Sequence, residues 1–367
     1  MTVTLIAPTD LRSAHEALAD TTGTVQIQGA GTAAGWAGAP EPAATVLDTT
    51  RMTGVLAYNP ADMTVAVRAG TPLRELQAEL AGNGQRVAFD AARAEQGATV
   101  GGLIATADSG PLALTYGSLR DLVIGATIVL ADGTVARSGG HVIKNVAGYD
   151  LAKLLHGSYG ALGLLAEVVL RLHPIPAATR TVALDCSLPT AAERAATALH
   201  SAVEPVSLEW ADGTLLVRLV GTADGTEARA RHLAGTLGAT VLSEESAEAA
   251  WARHAERVTD AVVRLGCRPS RLPGLLAECG GTAVAGLGTG IGTVTVPLDD
   301  VGRVHDAVTA VGGTSVTRRR PKEGMRAWGQ PPSAIRVLQA VQRELDPGGR
   351  LCPGRFESWF GTREATS

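Results

Sequence analysis

Gly97-Ala98-Thr99-Val100-Gly101-Gly102 opens a short predicted helix over Leu103 to Thr106. Amides at such a glycine-rich helix start, together with the helix dipole, can hold a diphosphate. Asp108-Ser109-Gly110 and Tyr116-Gly117-Ser118 follow, supplying small residues and hydroxyls where a flat ring system needs close backbone approach. Further on come Gly140-His141-Val142-Ile143-Lys144-Asn145-Val146-Ala147-Gly148-Tyr149-Asp150 and Gly157-Ser158-Tyr159-Gly160-Ala161-Leu162-Gly163. On its residues alone, Lys144 to Asp150 is either a capped turn before a helix starting at Asp150 or part of a ligand site. Ser158 lacks the G-x-S-x-G frame of a hydrolase elbow, and no Walker sequence occurs.

Upstream, the predicted strand Val25-Gln26-Ile27 runs into Gly29-Ala30-Gly31-Thr32-Ala33-Ala34-Gly35. The glycine spacing does not match G-x-G-x-x-G, and a loop rather than a helix follows, which argues against a dinucleotide fold. The loop is either a plain surface turn or an anion cradle made of its own amides. Thr9 and Asp10 precede an amphipathic helix carrying Leu11, Ala14 and Leu18. Strands are expected at Thr45 to Leu47, Gly54 to Tyr58 and Thr64 to Arg68, then a helix capped by Thr71 with Pro72 in its first turn. Leu122 to Leu130 and Thr134 to Arg137 form a predicted hairpin, and Leu164 to Arg171 reads as a late strand.

Past Pro174 and Pro176 the texture changes. Strand, helix and strand (Thr181 to Leu184, Ala191 to Val203, Val206 to Trp210) are followed by strand, helix and strand (Leu215 to Val220, Glu227 to Leu237, Thr240 to Leu242). That order predicts a ferredoxin-like α+β domain, partly repeated between Thr282 and Val316, with Gly286, Gly288, Gly290 and Gly292 in a hairpin connection. Pro331 to Leu345 reads as a last helix before the tail Asp346-Pro347-Gly348-Gly349-Arg350. The expected division is residues 1–178, 179–330 and 331–367, the last returning to the first domain.

The 367 residues include 44 glycines, well above the usual share of ~7%, yet no Gly-X-Y period, and 13 of them fall within residues 97–163. A net charge of −4 gives no signal for nucleic acid. Cys186, Cys267, Cys279 and Cys352 stand far apart, which excludes a disulfide scaffold, a zinc ribbon and an iron–sulfur cluster bound by this chain alone. The N-terminus lacks the regions of a signal peptide, and no apolar run is long enough for a transmembrane segment. A cytoplasmic protein is expected, peripheral to a membrane at most through partners.

Taken together, the ordered motifs resemble the FAD-binding domain of the p-cresol methylhydroxylase-type (PCMH-type), or vanillyl-alcohol-oxidase, superfamily, in which FAD lies between two α+β subdomains. Val142 to Leu151 is most similar to the E-subunit family of glycolate oxidase. The resemblance implies an α+β, PCMH-type FAD-binding fold with a ferredoxin-like cap, and an FAD-dependent oxidoreductase acting on CH–OH groups. It implies hydride transfer from glycolate or another 2-hydroxy acid, and electrons passed on beside a larger flavoprotein subunit and an iron–sulfur subunit. Carried across residue by residue, Gly29, Ala30, Gly31, Thr32 and Ala33 would contact the pyrophosphate. Thr99, Gly101, Gly102, Thr106, Ser109 and Gly110 would line pyrophosphate, ribityl chain and flavin, with Gly97, Val100 and Gly117 in the same cofactor-binding set. Gly163, Leu165 and Glu167 would lie toward the adenine, and Lys144, Asn145 and Tyr149 toward the flavin side.

Two departures from the family bear on chemistry. The first loop offers neither His nor Cys for a covalent tether, so FAD is expected to be non-covalent, and His141 reads as a turn residue. Cys352-Pro353-Gly354 stands where relatives read Asn-Pro-Gly, and a thiol is a weak hydrogen-bonding partner. Oxidising a 2-hydroxy acid needs a base for the hydroxyl proton and a cation for the carboxylate. His200, His232, His254 and His305 have no metal-ligand spacing and read as solvated or packed, and no catalytic base is assigned. Arg318-Arg319-Arg320-Pro321-Lys322 reads either as a solvated charge run or as a carboxylate or partner site. Two rival functions remain: a self-sufficient FAD-dependent alcohol or sugar oxidase, and a non-catalytic flavin-containing scaffold.

Overall fold

A computed structural model describes residues 3–142, 150–319 and 325–360. Alternation builds the first sheet. Leu164–Arg171 buries Leu164, Ala166, Val168 and Leu170 and leaves the residues between them half covered, the period-two signature of a strand with one core face. It is the middle of a five-stranded antiparallel sheet ordered Val55–Asn59, Thr64–Arg68, Leu164–Arg171, Val123–Val129, Val135–Gly139. Helix Leu73–Ala81 covers this sheet with Leu73, Leu76 and Leu80, three positions on one helical stripe. Each buried leucine is worth about 1.5–3 kcal/mol of transfer free energy.

A second, smaller sheet sits beside it. Thr4–Ile6, Thr45–Asp48 and Val25–Gln28 pair in parallel, with Thr45–Asp48 central, and helix Leu11–Asp20 packs there through Ala14, Ala17 and Leu18. Asp10 caps that helix by accepting from Ser13 N at 2.8 Å.

From Ala178 onward the chain forms one eight-stranded sheet in which two ferredoxin-like units are joined edge to edge. The first unit places its strands in the order Thr240–Val241, Ala178–Asp185, Thr214–Gly221, Ser207–Ala211. Glu209 to Ala211 then pair with Val284 to Gly286, and the second unit continues through Ile291–Thr295, Val263–Gly266 and Thr314–Thr317. The repeat expected in part is therefore complete. Four helices, Leu188–Leu199, Ala223–Leu237, Leu272–Cys279 and Val301–Ala310, cover one face of this sheet with Val217, Leu265, Val294 and their neighbours. Gly286–Gly292 is the expected hairpin.

Some local expectations change. Thr71 does not cap its helix: its hydroxyl donates to Arg68 O and accepts from Gly54 N, and helix Leu73–Ala81 has no side-chain cap. The helix after Gly97 starts earlier, as Val100–Ala105, because Thr99 accepts from Gly102 N and so becomes the cap. The last helix begins at Ile335, after Pro331 and Pro332. Helix Glu244–Asp260 went unread because it buries only Ala250 and His254, too sparse an apolar stripe to show in the sequence. Asp150 leads into a 3-10 turn, Leu151–Leu155.

The C-terminal segment lies against the small sheet. Leu351 bridges to Val25, and Arg350 donates to Gly23 O, Ala131 O and Thr21 O. Arg355 Nη1 donates to Trp36 O at 2.7 Å, and Trp328 stacks on Phe356 with ring centres 4.9 Å apart.

Candidate functional site

Two cavities flank the region where the small sheet, the helix Val100–Ala105 and the eight-stranded sheet converge. The smaller, about 120 Å³, is walled by residues 26–34, by Thr99, Gly101, Gly102 and Thr106, and by Leu165 and Arg355. The loop after Val25–Gln28 supplies its chemistry. The amides of Ala30, Gly31, Thr32 and Ala33 donate to no group among the described residues. Four successive amides without an acceptor at a cavity wall form a cradle in which an anion can be held. Gly31 sits at φ +72°, where an L side chain is strained, and a Cβ on Gly29 would stand 2.7 Å from Thr99 Oγ1. The loop thus holds the backbone close to the cavity.

The expectation for the helix start at Gly97–Gly102 is corrected. Its amides are already used: Val100 N donates to Thr71 O, Gly101 N to Ala69 O and Gly102 N to Thr99 Oγ1. Gly101 and Gly102 contribute room rather than donors. Leu165 lines the same cavity, whereas Val100 is core, Gly97 is a turn, and Gly163 and Glu167 are not among the lining residues. Gly117 ends the short helix Ala113–Tyr116, where a Cβ would stand 2.6 Å from Asp121 Oδ2. Ser109 and Gly110 line the second cavity instead. Lys144, Asn145 and Tyr149 lie outside the described residues. Cys352 is buried, and its Sγ accepts from Ile27 N at 3.4 Å, a wall contact behind the smaller cavity.

Between the cavities lies a buried charge cluster. Arg93 Nε donates to Asp108 Oδ2 at 2.9 Å, its Nη1 to Thr32 Oγ1 and its Nη2 to Thr106 Oγ1, each at 2.8 Å. Arg318 Nη2 reaches Asp108 Oδ1 at 3.3 Å. Both guanidiniums lie 4.2 Å from the ring centre of Trp36. Burial works against the Asp108 carboxylate, but Arg93, Arg318 and Arg264 outweigh it and hold its pKa below the usual value. Burial brings Arg318 down to about 10 and pushes Tyr159 up to about 12. Arg318 is 6% exposed, so the basic run that starts there is not a solvated end at this residue.

The larger cavity measures about 500 Å³ and lies between the eight-stranded sheet and the loops carrying Asp90 and Ser109. Arg218, Arg264, Glu209 and Thr293 reach it from the sheet, and His254 from helix Glu244–Asp260. Arg218 pairs with Asp90 at 2.9 Å, Arg264 Nη2 donates to Ser109 Oγ at 3.2 Å, and His254 Nε2 stands 3.1 Å from Glu209 Oε2. Of the four histidines of this region, His254 and His305 are buried, while His200 and His232 are exposed. Among the described residues no cluster of three or more His, Cys, Asp or Glu is placed to hold a metal.

Residues 3–139 match the family model described as an FAD binding domain. Glycolate oxidase subunit GlcE of Escherichia coli (strain K12) is 30% identical over 352 residues, which cover 94% of this chain and 96% of that protein. The chain belongs to the GlcE family of glycolate oxidase subunits. Its cofactor is FAD. Partial relatives of this GlcE-type chain include glycolate oxidase subunit GlcD of Bacillus subtilis (strain 168), 41% identical over 121 residues (32% of this chain, 26% of that one). The mitochondrial D-lactate dehydrogenase [cytochrome] of Arabidopsis thaliana is 36% identical over 182 residues (49% and 31%). A solved structure of alkyldihydroxyacetonephosphate synthase shares the fold with a TM-score of 0.69 at 15% identity, over 95% of this chain and 75% of that one. The PCMH-type α+β fold is therefore that of the chain, and the acceptor-free amides beside Gly29 and Gly31 fit the diphosphate of FAD.

Sequence reasoning missed Arg93, Trp36, Arg264 and the Glu209–His254 pair. A signal existed for Arg264: Val263-Arg264-Leu265 alternates as a strand whose polar position is at least half buried, and a buried polar position on a sheet needs a reason.

Proposed function

We propose that the chain is the FAD-binding subunit of a glycolate or related 2-hydroxy acid oxidase or dehydrogenase, working beside a GlcD-like flavoprotein subunit and an iron–sulfur subunit. The observation that carries the reading is the row of acceptor-free amides at Ala30 to Ala33, next to an arginine-lined cavity between the two sheet systems. Gly29 to Ala33, Thr99, Thr106 and Arg93 would hold the diphosphate, and Leu165 the adenine side. Ser109 and Gly110 would border the ring. Bound FAD supplies a hydride acceptor for the C–H of the hydroxy acid. The residues of the chain orient the acid, keep water out and receive the hydroxyl proton, for which Glu209 and His254 are the groups within the larger cavity. In functional terms residues 1–178 would bind cofactor, 179–330 would form the cap, and 331–367 would close the cofactor side. No described helix is long and apolar enough to cross a membrane, and a cytoplasmic complex is proposed.

One observation favours a second reading, a non-catalytic flavin-containing scaffold: Arg93, Trp36 and Arg318 stack between the cradle and the larger cavity. The test is the visible spectrum of the purified chain, followed by anaerobic addition of glycolate or D-lactate with and without the partner subunits. Flavin bleaching in the assembled complex supports the oxidoreductase. Flavin that is retained but never bleaches supports the scaffold, and a chain that cannot be loaded with FAD refutes both.

A further inference from the structure

The eight-stranded sheet has one face that packs helices and one that does not resemble a core. Leu208, Val217, Leu265 and Val294 point to the helices, whereas Glu209, Arg218, Arg264 and Thr293 alternate with them and line the larger cavity. Arg264 and Thr293 are register partners on neighbouring antiparallel strands, so their side chains stand on the same face about 4.5–5.5 Å apart at Cβ. Arg264 Nε, Thr293 Oγ1 and Arg318 Nε are buried with no hydrogen-bond partner among the described residues, and all three residues line this cavity.

Charge points the same way. Arg218 is paired with Asp90, Arg93 and Arg318 share Asp108, and Glu209 is held by His254. Among the described residues Arg264 alone of these cations is ion-paired to no carboxylate, and its Nη2 donates to the Ser109 hydroxyl. A guanidinium with a buried, unpaired Nε beside an unpaired hydroxyl is a half-made site for a carboxylate, which accepts from an arginine fork and a hydroxyl together.

We infer that the larger cavity is a carboxylate-recognition site for a small monocarboxylic acid, with Arg264 as its anchoring cation and Thr293 and Arg318 completing the set of donors. That the acid is a 2-hydroxy acid rests on the function proposed above; the anion site itself does not.

The probe is 2-hydroxyisobutyrate, which has no hydrogen on the α-carbon and cannot be oxidised there, titrated calorimetrically into the FAD-loaded chain. Its neutral amide serves as the control. The acid binds and the amide does not; Arg264→Met weakens binding about 10–100-fold, and Arg264→Lys recovers part of it, as loss and partial replacement of a charged hydrogen bond require. Thr293→Val, a smaller change should Arg264→Met not fold, weakens binding several-fold. Equal binding of acid and amide, or an Arg264→Met variant that folds, keeps its FAD absorbance and binds the acid as tightly as the parent, overturns the inference. The activity fails separately: a chain that binds the acid but is never bleached by any 2-hydroxy acid keeps the site and loses the proposed reaction. Bleaching with the KM unchanged in Arg264→Met does the reverse.

Discussion

Replacing Asp108 by Asn tests the charge cluster at the junction of the two sheet systems. The Asp108 carboxylate is the shared partner of two guanidiniums that are themselves buried, Arg93 at 2.9 Å and Arg318 at 3.3 Å. Removing its charge leaves both uncompensated, and breaking a buried ion pair from one side costs about 3–5 kcal/mol. Arg93→Met removes less. Asp108 Oδ1 keeps Arg318 Nη2 and Ser109 N, the Thr32 and Thr106 hydroxyls lose a donor but leave no charge unpaired, and the main loss is the charged hydrogen bond to Oδ2, about 1.5–3 kcal/mol. The two changes are not additive. In the Asp108→Asn background Arg93 is a buried cation without its carboxylate, so Arg93→Met there costs close to nothing or restores stability. Urea denaturation of the parent, both single variants and the double variant, followed by tryptophan fluorescence, reads this directly, because Trp36 lies 4.2 Å from both guanidiniums. A double variant whose loss equals the sum of the single losses, or an Asp108→Asn variant within about 0.5 kcal/mol of the parent, would refute the reasoning.

Gly29→Ala places a Cβ 2.7 Å from Thr99 Oγ1, the cap of helix Val100–Ala105, and should lower FAD retention, read as the flavin-to-protein absorbance ratio, with about 1 kcal/mol of lost stability. Gly235→Ala is the control: nothing lies within 4 Å of its Cβ on helix Ala223–Leu237, so stability rises by about 0.5–1 kcal/mol at unchanged FAD content. His305 is buried against Ser315 Oγ at 2.7 Å, and burial lowers its pKa to about 4. The unfolded chain takes up this proton near pH 6.5 and the native one only near 4, so stability falls as pH drops through that window, by at most about 1.4 kcal/mol per pH unit. His305→Gln should flatten the slope in urea midpoints measured at pH 4, 5.5 and 7; an unchanged slope would assign it to other groups.

Periodicity and glycine placement made most of the elements legible in the sequence. Leu164–Arg171 reads as a strand because its apolar residues alternate, and the two ferredoxin-like units read from their element order. The Gly29–Gly35 loop is visible because small residues at a strand end leave amides free. Where amides find acceptors is another matter: the helix start at Val100 and Gly101 spends two N–H groups on Thr71 and Ala69, a pairing set by a segment well upstream in the chain. Helix Glu244–Asp260 escaped because it buries a histidine and an alanine rather than a leucine stripe.

The sequence by itself determined the family, the α+β class and the position of the anion loop, since each rests on local order: alternation, turn residues and motif spacing. Only the tertiary structure decided that Arg93, Asp108 and Arg318, far apart in sequence, share one buried cluster, and that Arg264 and Thr293 face a cavity side by side. The physical reason is burial. A charge on a strand or loop looks solvated in a sequence, and its partner, or the lack of one, exists only after the sheets have closed over it.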